Sequence, residues 1–423
     1  MLLFFFILLI NLYPIQGLFI GTATSAYQVE GHLPGNSIWD TFTKSRNLHP
    51  VGNATDHYLL YKDDVKLIYD LNIRNYRFSI SWTRIMPYEW NNIDPAGIMF
   101  YHDLLDELYN YNITPYVTLY HWDLPEYLSP GWTNPDIVEY FLNYSKIVFA
   151  EYNSKVKYWM TINEPLTTSL QGYGTGDFAP GLSNLQYIAG HYQILAHAHT
   201  ASFYKNNYDG YIGIVLNANW FIPRNSKSNE QAYSAMMRTF GWFANPIFFG
   251  TYPDEIIADA GDQLPSFTTE EKLMLTSSSD FLGLNHYTSY IIDEHGTYST
   301  DPLWLRGQSP WLYSVPFGLY KLLHFINDYY GNIPIYITEC GFSMQHDNHF
   351  DTDRIHYLTG YLEQAYRCEN EGLDIRAFFV WSLLDNFEWA SGYNESFGIV
   401  YVDNTLKRIP KSSALYLANI IDI

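Results

Sequence analysis

Two glutamates stand where carboxyl chemistry would need them. Glu164 lies in "VKYWMTINEP" and Glu339 in "IPIYITECG", each after a run of β-branched and aromatic residues. Such runs read as strands, so each acid projects from a strand end into a common mouth. Paired carboxyls suit glycoside hydrolysis. One must be protonated so that the leaving oxygen can depart, and the other ionised to attack or to activate water. Their surroundings must hold their pKa values apart. Arg77 on a neighbouring strand can keep one of them anionic, Tyr287 can donate to a nucleophilic carboxylate, and Asn163 can bond a sugar hydroxyl. Cys340, next to Glu339, is a second candidate nucleophile. It would need a thiolate activated by a base or cation, and the adjacent carboxylate works against that. A single strand-end glutamate is as readily a loop cap or an ion pair; the pairing, with matching Trp, His and Asn, favours chemistry.

Trp381 and Trp389 beside these polar strand ends read as sugar-stacking platforms, and His121 as a hydroxyl contact rather than an acid or base. Trp122 reads equally well as core. "HYQILAHAH" carries His191, His197 and His199, but its spacing lacks acidic support for a metal. It reads as a polar, partly buried helix face, and no metal site is expected.

Positioning such groups requires a scaffold with many parallel strand ends. Eight apolar segments recur: Leu18 to Ala26, Arg74 to Trp82, Ile113 to Trp122, Val156 to Pro165, Tyr211 to Trp220, Asp280 to Ser289, Ile333 to Gly341, and Ile375 to Trp389. Helix-like stretches lie between them. Thr352 to Gly372, for example, repeats apolar residues at three- and four-residue spacing and ends on glycine. Continuous apolar strands covered by helices imply a parallel sheet. Eight such units predict an α/β fold, a single (β/α)8 TIM barrel with its active site at the C-terminal ends of the strands. Arg77, His121, Asn163, Glu164, Tyr287, Glu339, Trp381 and Glu388 all fall on a strand or near such an end.

Composition narrows the partners. The 423 residues are 47% hydrophobic and 18% aromatic, enough for one large core. With 23 Lys plus Arg against 44 Asp plus Glu, the net charge is -21. That surface repels phosphate backbones and anionic lipid, so neither nucleic acid nor stable membrane association is expected. Two cysteines, Cys340 and Cys368, make no disulfide scaffold and no CxxC motif. The leading apolar run "MLLFFFILLI" is too short to span a bilayer and suits a signal peptide over residues 1–16, leaving 17–423 as one catalytic domain. Sequons at Asn53, Asn112, Asn143 and Asn394 then become glycosylation candidates, and secretion is the expected destination.

In order along the chain stand "GTATSAYQVEG", "YRFSISWTRIMP", "TLYHWDLP", "TINEP", "GLNHYTS", "YITECG", "WSLLDNFEW" and "GYNESFGIVYVD". The ordered set resembles glycoside hydrolase family 1, the β-glucosidase family, over nearly the whole chain. The resemblance implies a β-glycosidase that retains configuration through a covalent glycosyl-enzyme. Glu164 is then the acid/base and Glu339 the nucleophile, with the carboxyls ~5–5.5 Å apart. It further implies that Gln28, His121, Asn163 and Glu388 bind glycone hydroxyls, that Trp381 and Trp389 contact sugar, and that Arg77 and Tyr287 hold the nucleophile. No cofactor is implied.

This chain departs from the family pattern at several positions. Cys340 stands where the family usually has Asn, Ser396 where it has Arg, and Leu166 where Trp is frequent. The segments after Glu30 and after "DLPEYL" are short. Two relatives on the same fold stay open: a sugar-binding protein without catalysis, disfavoured because both acids are present, and a thioglucosidase. A 6-phospho-β-glycosidase is set aside because Glu388 would repel the phosphate.

Overall fold

The structure is a computed structural model describing residues 17–345 and 349–421; the leader expected over residues 1–16 lies outside them. Eight parallel strands close a barrel in chain order: β1 Phe19–Ala23, β2 Asn75–Ser79, β3 Thr114–Tyr120, β4 Tyr158–Asn163, β5 Tyr211–Asn217, β6 Phe281–Asn285, β7 Ile335–Cys340 and β8 Ile375–Trp381. Closure comes from β1 pairing with both β2 and β8.

Helices cover the outside because their apolar stripes demand it. The helix Pro95–Asn110 buries Ile98, Tyr101, Leu104, Leu105 and Leu108, a three- and four-residue repeat along one face. Its start is fixed by the Asp94 side chain accepting from the Ala96 N–H and by proline at the first helical position. The helix expected from Thr352 to Gly372 forms over Thr352–Asn370, and Gly372, at φ 98°, turns the chain into β8. No described helix is long and apolar enough to cross a membrane.

The barrel is filled, not open. Near its floor Tyr116 stacks on Tyr158 at 4.5 Å between ring centres and meets Phe379 edge-on at 4.9 Å, while Phe281 packs on Tyr336 at 4.7 Å. This aromatic plug leaves the C-terminal ends as the mouth.

Every strand ends before its apolar segment does, and three of these departures shape the mouth. β5 stops at Asn217, and Trp220 opens a separate strand, Trp220–Pro223, that pairs with Ser289–Ile292 outside the barrel. The sixth segment likewise leaves the barrel after Asn285. The eighth leaves at Trp381: the Leu383 N–H donates to the Ala23 carbonyl and the Asp385 N–H to that of Val400. The chain therefore crosses the barrel top and delivers Glu388 and Trp389 from above.

Candidate active site

β4 and β7 bring Glu164 and Glu339 to one cavity. The strand ladders slip in register immediately before each acid, between Met160 and Asn163 on β4 and between Ile337 and Glu339 on β7. Such irregularities re-aim side chains beside active sites. As successive residues of one strand, Glu339 and Cys340 face different ways: Glu339 lines the cavity, whereas the Cys340 thiol is fully buried 3.5 Å from the Tyr357 hydroxyl. Glycine follows for a steric reason, since a Cβ at Gly341 would lie 1.8 Å from the Trp381 carbonyl oxygen.

Three residues at the mouth hold left-handed backbone: Trp122 at φ 75°, Glu164 at φ 48° and Trp389 at φ 50°. That region is costly for bulky side chains and persists only where surrounding packing enforces it. Here it turns all three side chains into the cavity, whose volume is about 330 Å³, within the roughly 300–1,000 Å³ of small-molecule sites.

The two carboxyls share one buried polar network. Arg77, fully buried beneath the cavity, donates to Glu339 Oε1 at 2.6 Å, to the Thr338 carbonyl at 3.0 Å and to Asn163 Oδ1 at 2.7 Å. Tyr287 donates its hydroxyl to Glu339 Oε2 at 2.7 Å. Both oxygens of Glu339 are thus fixed by charge-assisted bonds. Burial, with the nearby Glu339 charge, pushes the Tyr287 phenol well up, so it remains a donor. Asn285 donates to Glu164 Oε1 at 2.7 Å and to Asn163 Oδ1 at 3.1 Å, while its own Oδ1 accepts from Thr338 at 2.7 Å. Thr167 donates to Glu164 Oε2 at 2.8 Å.

The environments of the acids differ. Burial, reinforced by the Glu339 charge, raises the Glu164 carboxyl from 4.5 to about 7; the bonds from Asn285 and Thr167 and the Arg77 charge oppose this without cancelling it. Glu164 is the carboxyl that can hold a proton near neutrality.

The remaining predicted ligands assemble around this pair. His121, Asn163, Trp381, Glu388 and Trp389 all line the cavity. Burial and the Arg77 charge push the His121 imidazole well down, which keeps it neutral. Asn163 uses its Oδ1 for Arg77 and Asn285, so its Nδ2 donates to His121 Nε2 at 3.1 Å. That assignment places the imidazole hydrogen on Nδ1, which has no partner within the protein. Gln28 differs from the others: it is fully buried and stands behind the cavity wall. Its Oε1 accepts from Ser25, and its Nε2 donates to Asn386, to the Phe387 carbonyl and to Glu388 Oε2 at 3.3 Å. Its visible work is bracing Glu388, whose carboxyl is pushed well up by burial and by Glu395 and Glu339.

Several groups are not evident from strand-end reading. Asn285 ends β6, but only the folded chain reveals that it bonds the acid. Thr167 and Gln171 follow β4 in a helical stretch and join the wall, Thr167 by its bond to Glu164, and Trp311 reaches it from a loop between β6 and β7. Trp122 is a wall residue and not core; its indole N–H fixes the Asn163 carbonyl at 3.0 Å.

The departures fall outside the catalytic pair. Cys340 packs against Tyr357, whose hydroxyl donates to the Tyr287 carbonyl at 2.7 Å, and burial pushes the thiol far up. Ser396 is buried and donates to Asp385, and Lys411 Nζ donates to the Ser396 hydroxyl at 2.8 Å. Leu166 is buried and does not line the cavity. His191 bonds Tyr252 at 3.0 Å, and His197 bonds Thr161 at 2.8 Å and Ser278 at 2.9 Å. Among the described residues no cluster of His, Cys, Asp or Glu is arranged to hold a metal. Of the sequons, Asn53, Asn112 and Asn394 are exposed and Asn143 is half-buried.

Comparison with known proteins agrees with this geometry. Residues 11–423 match the family model described as "Glycosyl hydrolase family 1". The chain is 43% identical to Beta-glucosidase 42 of Arabidopsis thaliana, covering 94% of this chain and 91% of that one. The crystal structure of a rice β-glucosidase superposes with TM-score 0.91 at 36% identity, covering 96% and 98% of the two chains. An aphid myrosinase superposes with TM-score 0.90 at 34% identity, covering 96% and 98%. A barrel with these two acids at the ends of its fourth and seventh strands, and a family match over nearly the whole chain, lead to one conclusion: this chain belongs to glycosyl hydrolase family 1 and is an O-glycosyl hydrolase.

Proposed function

We propose that Glu164 is the general acid/base and Glu339 the nucleophile of a retaining β-glucosidase acting on terminal β-D-glycosyl residues, with galactosides and fucosides as further substrates. The observation carrying this reading is the asymmetry of the buried pair. Glu339 is clamped through both oxygens by Arg77 and Tyr287, whereas Glu164 sits where a carboxyl keeps its proton to about pH 7.

The first step then runs as follows. Glu339 attacks the anomeric carbon while the Glu164 proton passes to the departing oxygen. Water next attacks the glycosyl-enzyme, gives its proton to Glu164 and releases the sugar with net retention. Trp381 and Trp389 offer rings to the sugar face, while His121, Asn163 and Glu388 meet its hydroxyls; Gln28 acts through Glu388. Anionic glycones are disfavoured because Glu164, Glu339, Glu388 and Glu395 all line the cavity.

The test is a panel of nitrophenyl β-glycosides on wild type, Glu164→Gln and Glu339→Gln. Turnover by wild type, and its loss in both variants, is expected; no turnover of any β-glycoside by wild type would favour a sugar-binding relative. A thioglucoside belongs in the same panel, because the aphid myrosinase shares this architecture and Glu164 is present to protonate a leaving group. The leader pattern and the three exposed sequons support a secreted glycoprotein. Expression in a secreting eukaryotic cell, with a mobility shift on enzymatic deglycosylation, checks that reading.

A further inference from the structure

Thr167 follows Glu164 by three residues on the short turn Pro165–Thr167, and its hydroxyl donates to Glu164 Oε2 at 2.8 Å. Behind it Asn217, at the end of β5, donates Nδ2 to Thr167 Oγ1 at 3.0 Å, while the Asn217 Oδ1 is buried without a partner. The other carboxyl oxygen, Oε1, is committed: Asn285 can only donate to it, because the Asn285 carbonyl is occupied by Thr338. A proton on Glu164 therefore belongs on Oε2, the oxygen that faces Thr167.

The network as drawn suits only the ionised form. When Oε2 carries a proton, two O–H groups point at one another across 2.8 Å, and one must turn. An Asn amide can present its oxygen instead of its nitrogen at the same position. With Asn217 rotated, Thr167 donates to Asn217 Oδ1 and its oxygen accepts from protonated Oε2, which also satisfies the buried carbonyl. Two arrangements exist, one for each protonation state, related by reversal of the Thr167 hydroxyl together with rotation of the Asn217 amide.

From this geometry we infer that Thr167 is a positioning residue for the acid/base: with Asn217 it keeps Glu164 hydrogen-bonded in both protonation states and assigns the proton to Oε2. The inference rests on the acid/base role proposed above for Glu164. Other groups also face that carboxyl: Glu339 from β7, Arg77 from β2, and Tyr287 and Glu388 from the segments after β6 and β8. None of them can reverse its hydrogen bond as the Thr167 hydroxyl does. Arg77 only donates, and Tyr287 is committed to Glu339.

The variants that test it are Thr167→Val, of the same shape without the hydroxyl, and Thr167→Ser, which restores it. The pH profile of kcat/KM on nitrophenyl β-glucoside reads the change. Thr167→Val removes a charge-assisted bond to the carboxylate and a weaker neutral bond to the acid, so the basic limb moves up by about one pH unit, the difference between the two; Thr167→Ser keeps the wild-type limb. A purely structural role would lower activity at all pH values without moving the limb. Direct titration of Glu164 by carbon NMR on 13C-Glu-labelled protein, assigned with Glu164→Gln, measures the same shift without turnover. It therefore separates failure of this inference from failure of the glycosidase reading. An unmoved Glu164 titration in Thr167→Val, or an equal shift in Thr167→Ser, overturns it.

Discussion

Glu164 and Glu339 are chemically identical side chains made different by what surrounds them. The raised Glu164 carboxyl gives a directional pH dependence. Below about pH 7 it is protonated and can serve the leaving group; above that, the acid form falls tenfold per unit. kcat/KM should therefore decline on a basic limb near pH 7, and Glu164→Gln should abolish that limb while lowering kcat/KM by ~10²–10⁴-fold. Added azide should restore turnover of the variant as a β-glycosyl azide, because a charged nucleophile needs no base. Tyr287→Phe removes one of the two donors to Glu339 and should lower kcat by about 10–100-fold. Cys340→Ser should leave kcat unchanged, because the thiol faces Tyr357 and not the cavity. The sequence carried this much: strand-end acids, an arginine and a tyrosine in reach. The roles of Asn285 and Thr167 were hidden because they depend on which oxygen of Glu164 each one meets. Gln28 shows the converse, a residue matched by motif whose amide is engaged with Ser25, Asn386, Phe387 and Glu388.

At the scale of elements, all eight strands were legible because a parallel barrel buries both strand faces and leaves unbroken apolar runs. What the runs conceal is where each strand leaves the barrel. "YIGIVLNANW" reads as one strand but changes sheet after Asn217, since hydrophobicity alone does not distinguish a barrel neighbour from an external one. The register slips before Glu164 and Glu339 are likewise silent, being properties of pairing rather than composition. The helix Thr352–Asn370 matters to the site through Tyr357 and Tyr361, whose hydroxyls both donate to the Tyr287 carbonyl, at 2.7 and 3.0 Å. The double variant Tyr357→Phe/Tyr361→Phe should reduce kcat through a misplaced Tyr287, with little further loss when Tyr287→Phe is added. Equal, additive losses would show that the helix does not act through Tyr287.

Across the whole molecule, the mouth is closed by chain that returns after β8. That segment is anchored by Lys411, which is buried, donates at 2.8 Å to the Ser396 hydroxyl and to the Gly398 carbonyl, and pairs with Asp385 at 2.7 Å. Ser396 thus lies within reach of a cation supplied from the C-terminal segment. Lys411→Met would strand the Asp385 charge and should destabilise the fold by about 3–5 kcal/mol in denaturant unfolding, with part recovered when Asp385→Asn is added. The central claim is that Glu339 becomes covalently glycosylated, and trapping tests it most directly. Incubation with a 2-deoxy-2-fluoro-β-glucosyl donor bearing a dinitrophenyl leaving group, followed by peptide mass spectrometry, should find one fluoroglycosyl adduct on Glu339 and none in Glu339→Gln. An adduct on Cys340 or Glu164, or turnover of the donor by Glu339→Gln, would contradict it.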